Sequence, residues 1–403
     1  MKKWNTNLKY IALAVAGACA LTACGSTASD STNVATADND VSTAEGTTTA
    51  LTTTDNITTE SSAVDETTNA TDRNITVESS NSTTAEETTT ESTLLEEPQT
   101  LTQRHGALRV QGADLVNQNG EKFQLYGMST HGIGWFPQFI NYDSFLTLRD
   151  DWNTNCVRLA MYTAENAGYC TDGDREQLKS LVKSGVEYAT ELGMYVIIDW
   201  HILSDQDPNV YKEDAKAFFE DMSLTYADYT NVLYEICNEP NGYATWDSVK
   251  SYAEEIIPII RTNDEDAVII VGTPTWSQDI DQAAAAPLPY DNIMYALHFY
   301  AGTHKDHLRE RLTNCVSNGL PVFISEFGMC DASGNGANDF ESTSKWMEII
   351  ETYNLSFCCW NLANKDESSS VFKSSTTSLA NWTEEEMNES GKWIREYFRS
   401  KTK

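Results

Sequence analysis

From Gly25 to Thr100 the chain holds no Trp, Tyr or Phe. Thr, Ser, Ala, Asp and Glu make up most of that stretch, which has too little apolar surface to offset the entropy of ordering a backbone. Basic clusters are missing as well. Across the chain 27 Lys and Arg stand against 60 Asp and Glu, a formal charge of -33. Without a cationic patch nothing can displace counterions from a phosphate backbone, so nucleic acid is excluded as a partner and a neutral polymer is admissible. No C-x-x-C, H-x-H or H-E-x-x-H pair occurs, which argues against a metal held by local ligand spacing. No metal or cofactor is expected.

Cysteine is sparse. Cys156, Cys170, Cys237, Cys315, Cys330, Cys358 and Cys359 are odd in number, and several sit in apolar runs. They read as small buried hydrophobes, with a bridge from Cys170 or Cys330 left open. The N-terminal apolar run, Ile11 to Ala23, is too short to cross a bilayer comfortably. Behind Lys2, Lys3 and Lys9 it reads as an export signal. Leu21-Thr22-Ala23-Cys24 before Gly25 has the form of a bacterial lipobox, which makes Cys24 a lipidated first residue. Cleavage after Ala18-Cys19-Ala20 would instead release a secreted protein. The expected organisation is a signal over 1–23, an acidic Ser/Thr-rich disordered linker over 24–102 and one folded domain over 103–403. The product is a monomer outside the cell, on the membrane only through Cys24.

The aromatics concentrate after Gln103. There a short β-branched or aromatic run, a polar loop and a stretch of helical period recur. Strands are expected over Lys122 to Ser129, Cys156 to Tyr162, Tyr195 to Trp200, Val232 to Cys237, Val268 to Gly272, Ile293 to His298, Val322 to Ser325 and Phe357 to Trp360. Helices are expected over Asp174 to Leu192, Asp214 to Ala227, Trp246 to Thr262, Lys305 to Asn318, Asn338 to Tyr353 and Glu384 to Ser400. Eight alternations with runs as apolar as YVIID predict strands buried on both faces, hence an α/β fold, a single (β/α)8 barrel. Such a domain needs about 250 residues, and its functional groups gather at the C-terminal ends of its strands.

Arg158 lies within the second run, and His201, Asn238-Glu239, Trp276, His298, Tyr300, Glu326 and Trp360 lie at or past the ends of later ones. Glycoside hydrolysis needs a proton donor and a second carboxylate on opposite sides of one carbon, and Glu239 and Glu326 are the candidates. An isolated Glu would by default cap a helix or pair with an Arg. Asn238 is placed to donate to a sugar hydroxyl, and Arg158 and Tyr300 to bind Glu326. Each alone would more often be a structural hydrogen bonder. His131, His201 and His298 could instead ligate zinc, though their spacing fits no motif. Trp135, Trp276 and Trp360 are placed to stack on sugar rings, whereas Trp152, Trp246, Trp346 and Trp393 fall in helical stretches and belong to the core.

Five separated motifs carry a resemblance. Ile198-Asp199-Trp200-His201, Tyr234-Glu235-Ile236-Cys237-Asn238-Glu239-Pro240-Asn241, Gly272-Thr273-Pro274-Thr275-Trp276-Ser277-Gln278, Leu297-His298-Phe299-Tyr300-Ala301-Gly302-Thr303-His304 and Ile324-Ser325-Glu326-Phe327-Gly328 resemble glycoside hydrolase family 5 endoglucanases of the bacterial cellulase subgroup, from about Val110 to Ser370. The resemblance implies a retaining hydrolase of β-1,4-glucan, with Glu239 as acid/base and Glu326 as nucleophile. Arg158, Asn238, His201, His298 and Tyr300 stand around them. It further implies that His131, Trp135, Phe136, Tyr162, Ala332, Ser333, Trp360, Lys365, Asp366 and Glu367 line the glycone side and Trp276 the aglycone side. Phe327 stands where the family commonly has Trp, and Trp135-Phe136 where it has Trp-Tyr, so altered subsite contacts are expected. Mannan, xyloglucan or mixed-linkage glucan as substrate stays open, as does a noncatalytic glycan-binding protein at the cell surface.

Overall fold

The computed structural model describes residues 99–401. The expected signal, Cys24 and the linker up to residue 98 lie outside the described residues. Eight parallel strands form the centre: β1 Tyr126–Thr130, β2 Cys156–Tyr162, β3 Tyr195–His201, β4 Val232–Glu235, β5 Ile269–Val271, β6 Ile293–Ala296, β7 Val322–Gly328 and β8 Phe357–Leu362. Each pairs with the next, and β8 also pairs with β1, which closes a barrel. Phe299–Tyr300 continues β6 as a short strand on β7. Helices α1 Tyr142–Asp150, α2 Arg175–Glu191, α3 Lys212–Thr225, α4 Trp246–Asn263, α5 Ile280–Ala285, α6 Asp306–Ser317, α7 Phe340–Thr352 and α8 Glu389–Ser400 follow the strands in turn.

The helices start where local chemistry satisfies their free N–H groups. Asp174 caps α2 by accepting from the backbones of Glu176 and Gln177, and Thr245 with Ser248 forms a reciprocal box at the start of α4. Along α4 the buried residues Val249, Tyr252, Ala253, Ile256, Ile257 and Ile260 recur three or four apart, one stripe facing the barrel. Helix α1, the short α5 and a hairpin of Arg109–Gln111 with Asp114–Val116 go beyond the sequence expectations; all three are short and carry weak periodicity.

Side chains on the strands alternate between two cores. On β3, Val196, Ile198 and Trp200 face the helices, while Tyr195 and Ile197 join an inner cluster with Leu233, Ile270, Met294, Ala296, Phe323 and Cys358. Leu108, Leu115, Phe123 and Leu125 from the N-terminal segment complete that inner cluster and cover the lower end of the barrel. Trp152, Trp246 and Trp346 are core residues and Trp393 packs against the core. The seven cysteines among the described residues are free thiols, six of them buried.

Candidate active site

The alternation that buries Tyr195 and Ile197 inside the barrel also points Asp199 and His201 inward, two and four residues later and nearer the mouth. The same parity on β2 turns Arg158 inward beyond Cys156, and on β6 it turns His298 inward beyond Met294 and Ala296. Strand β7 needs a different device. Ile324 pairs with Phe357 but Phe327 pairs with Cys359, so β7 carries one extra residue there. Ser325 and Glu326 both face the interior as a result, and Phe327 turns outward against Phe299 and Phe357. The expected effect of Phe327 on subsite contacts is therefore corrected: the ring packs between barrel and helices, away from the cleft.

Arg158 is fully buried and organises the centre. Its Nε donates to Glu235 at 2.7 Å and its Nη2 to Asn238 Oδ1 at 2.6 Å, with Asp199 Oδ2 at 2.9 Å. Nη1 reaches Ser129 at 3.1 Å and Glu326 Oε2 at 3.3 Å. Burial opposes the arginine's charge, but Asp199 and Glu235 reverse this and hold it protonated. Burial likewise opposes the charge of Glu235, yet Arg158 and His298 outweigh it and hold the carboxyl at about 2. Asp199 is pushed up by burial and by the charges of Glu235 and Glu239, against the pull of Arg158 and His298.

Tyr300 Oη donates to Glu326 Oε1 at 2.8 Å. Gly328 lets that ring lie flat against β7: a Cβ there would sit 2.4 Å from the tyrosine ring. Burial and then the charge of Glu239 push the Glu326 carboxyl up, while His298 and Arg158 pull it down. His298 Nδ1 lies 2.9 Å from Glu239 Oε1, and its Nε2 2.9 Å from Ser325 Oγ. Burial disfavours a charged imidazole, but the carboxylates of Glu235, 3.8 Å from Nε2, and of Glu239 prevail and raise His298 to about 9. Glu239, His298 and Glu326 present atoms all within 4.8 Å of one another. His131, His201 and His298 do not converge as a zinc set would. His201 Nδ1 is bound to Asp199 at 2.6 Å, and His131 Nδ1 accepts from Gly132 at 2.6 Å. Burial first, then Arg158 for His201 and Lys365 for His131, lowers them to about 4 and about 3.

These groups open into a cleft of about 690 Å³ lined by His131, Tyr162, His201, Trp276, Ala332, Ser333, Trp360, Lys365 and Glu367 around the two carboxylates. At one end, Trp135 and Tyr162 pack at 4.6 Å over Gly132, where a Cβ would meet both rings within 2.9 Å. Trp360 stacks on His201 at 5.2 Å and Phe136 supports His131 at 5.0 Å. Lys365 bonds Glu367 at 2.7 Å. At the other end Trp276 stands 46 % exposed. Thr275, Trp276 and Ser277 all have φ between +54° and +60°, a conformation that costs roughly 1–2 kcal/mol per non-glycine residue. It is held by Trp276 N–H on Pro240 O at 3.0 Å and Ser277 Oγ on Asn238 O at 2.6 Å.

Two expectations come out differently. Asp366 faces an adjoining polar depression with Asn335 and Ser374 rather than the cleft. Asn238 has its oxygen taken by Arg158 and donates to Ile202 O at 3.1 Å, so it braces the site from beneath. Asp199, Glu235, Ser325 and His304 were missed. The inward parity of Asp199 and the placement of Glu235 four residues before Glu239 were the signals available.

The chain matches the family model described as cellulase (glycosyl hydrolase family 5) over residues 116–366. It is 48 % identical over 293 residues to endoglucanase A of Butyrivibrio fibrisolvens, a match covering 72 % of this chain and 68 % of that protein. With endoglucanase A of Evansella cellulosilytica it shares 49 % over 282 residues, 70 % of this chain and 57 % of the relative. The chain thus spans about two thirds or less of the length of these curated relatives. A variant of the catalytic domain of Thermobifida fusca endoglucanase Cel5A, solved with cellotetraose, superposes with a TM-score of 0.72 at 39 % identity, over 75 % of this chain and all of that one. The barrel, the paired carboxylates and these matches make the chain a member of the cellulase family, glycosyl hydrolase family 5.

Proposed function

We propose that the protein is an endo-β-1,4-glucanase, cleaving internal bonds of cellulose and related β-glucans with retention of configuration. The observation that carries this reading is the spacing of Glu239 and Glu326, whose facing oxygens lie within 4.8 Å. Retaining glycosidases hold their carboxyl groups about 5–5.5 Å apart, whereas inverting ones leave about 6.5–9.5 Å for a water. Glu326, bound by Tyr300 and Arg158, attacks the anomeric carbon. Glu239 gives its proton to the departing glycosidic oxygen as that bond breaks, leaving a glycosyl ester on Glu326. Glu239, now a carboxylate, takes a proton from water as the water oxygen bonds the same carbon, and the ester bond to Glu326 breaks. The endoglucanase names of the relatives and the cellotetraose in the Thermobifida complex support glucan as substrate.

The test is hydrolysis of carboxymethyl-cellulose, β-mannan and xyloglucan, following viscosity and reducing ends together. A rapid viscosity drop on the cellulose derivative is expected. Glu326→Gln is expected to lower turnover by at least about 10⁴-fold while still binding polymer. Near wild-type turnover in that variant would remove Glu326 from the mechanism, and preference for mannan would move the specificity. The lipobox also supports export and anchoring of the chain at the cell surface through Cys24. Cys24→Ser is expected to abolish fatty-acid labelling and shift activity to the medium.

A further inference from the structure

Glu235 touches no part of the cleft, yet it connects to both catalytic carboxylates. One connection runs through Arg158 to Glu326. The other runs through Ser325, whose Oγ donates to Glu235 Oε1 at 2.8 Å and lies 2.9 Å from His298 Nε2. A hydroxyl has one proton. With that proton given to Glu235, Ser325 can only accept from His298, so Nε2 must carry a hydrogen. The remaining nitrogen, Nδ1, faces Glu239 Oε1 at 2.9 Å.

The charges packed around His298 decide what Nδ1 carries. Glu235 and Glu239 reach it from β4 and its end, Ser325 and Glu326 from β7 and Asp199 from β3, while Arg158 from β2, His201 from β3 and Tyr300 from the short strand after β6 act on Glu326 beside it. Four carboxyl groups thus act on His298, and Arg158 pairs with three of them, Asp199, Glu235 and Glu326. We infer that Ser325 and Glu235 are positioning residues that keep both nitrogens of His298 protonated, so that its Nδ1–H is fixed on Glu239 Oε1. The transferable proton of Glu239 is then confined to its other oxygen, facing the substrate. When that proton moves to the glycosidic oxygen, the new carboxylate forms against a cation already in place. The inference rests on the assignment of Glu239 as the acid.

Leaving groups of different basicity separate this role from a structural one. A dinitrophenolate departs without a proton, and a phenolate requires one. For the full chain carrying Ser325→Ala, kcat/KM on phenyl β-cellobioside is expected to fall about 10- to 100-fold, part of what an acid catalyst supplies. On 2,4-dinitrophenyl β-cellobioside the fall is expected to stay below about 3-fold. The alkaline limb of the phenyl-substrate pH profile moves to lower pH, because His298 gives up its second proton more readily once its Nε2–H has lost an acceptor. Ser325→Thr, which retains the hydroxyl, restores both. Equal losses on the two substrates with an unmoved limb would overturn the inference. Glu239→Gln is the control: it must itself discriminate between the leaving groups, and if it does not, the acid assignment fails instead.

Discussion

The two ends of the barrel are built from the same strands with the same alternation, and they hold opposite chemistry. At the lower end the inward positions are Tyr195, Ile197, Leu233, Ile270 and Phe323, sealed by Leu108 and Leu125. Two residues further along, the inward positions are Asp199, Glu235 and Ser325, around Arg158. The lower end lowers the free energy of the fold by removing apolar surface from water. The upper end stays folded only because each buried charge has a partner. Stability and chemistry are thereby assigned to different halves of each strand.

The comparison is broken most severely at Arg158. Arg158→Met leaves Asp199, Glu235 and Glu326 without their shared cation, and a loss of about 3–5 kcal/mol in urea unfolding is expected together with loss of activity. A smaller effect is expected from pH. The folded pKa of His298, about 9, lies above its ordinary 6.5. Its contribution is fully present below pH 6.5 and is lost as pH rises through 9, on the order of 3 kcal/mol. Unfolding at a series of pH values should show that decline, and His298→Gln should flatten it. At the lower end, Ile197→Val is expected to cost about 0.5–1.5 kcal/mol with kcat per folded molecule unchanged. A changed kcat would mean that the two ends are not independent. The smallest stability effect belongs to Trp276→Ala at the open rim, within about 0.5 kcal/mol. There the KM for long glucans should rise about 2- to 10-fold, the worth of a stacked ring.

The barrel was legible because eight apolar runs alternated with amphipathic stretches, and α2, α4, α6 and α7 begin and end within about two residues of where periodicity put them. The strand ends were less so. The run expected to Cys237 stops at Glu235, and β7 continues through Glu326 to Gly328. Periodicity reports which face is apolar, and it fades where the side chains become polar. The motifs brought Glu239, Glu326, His298 and Tyr300 to notice because they lie at the mouth. Asp199 and Glu235 escaped because an acid inside an apolar run looks like an interruption until its arginine, far away in the chain, is placed beside it. The family resemblance assigned Asp366 to the cleft with Lys365 and Glu367, and the turn of the loop sends it to an adjoining depression.

The extra residue in β7 acts as a shift of reading frame for side chains. Before it, even positions face the helices and odd ones the lumen; after it, Phe327, an odd position, faces the helices. Only at the shift can two neighbours share the lumen, and those two are Ser325 and Glu326. In the proposed mechanism one serves the acid and the other is the nucleophile, so a single inserted peptide unit couples both halves of that reaction to one strand. Strict alternation through the same residues would turn Glu326 toward the helices and put the phenyl ring of Phe327 in the lumen, with every other catalytic group untouched.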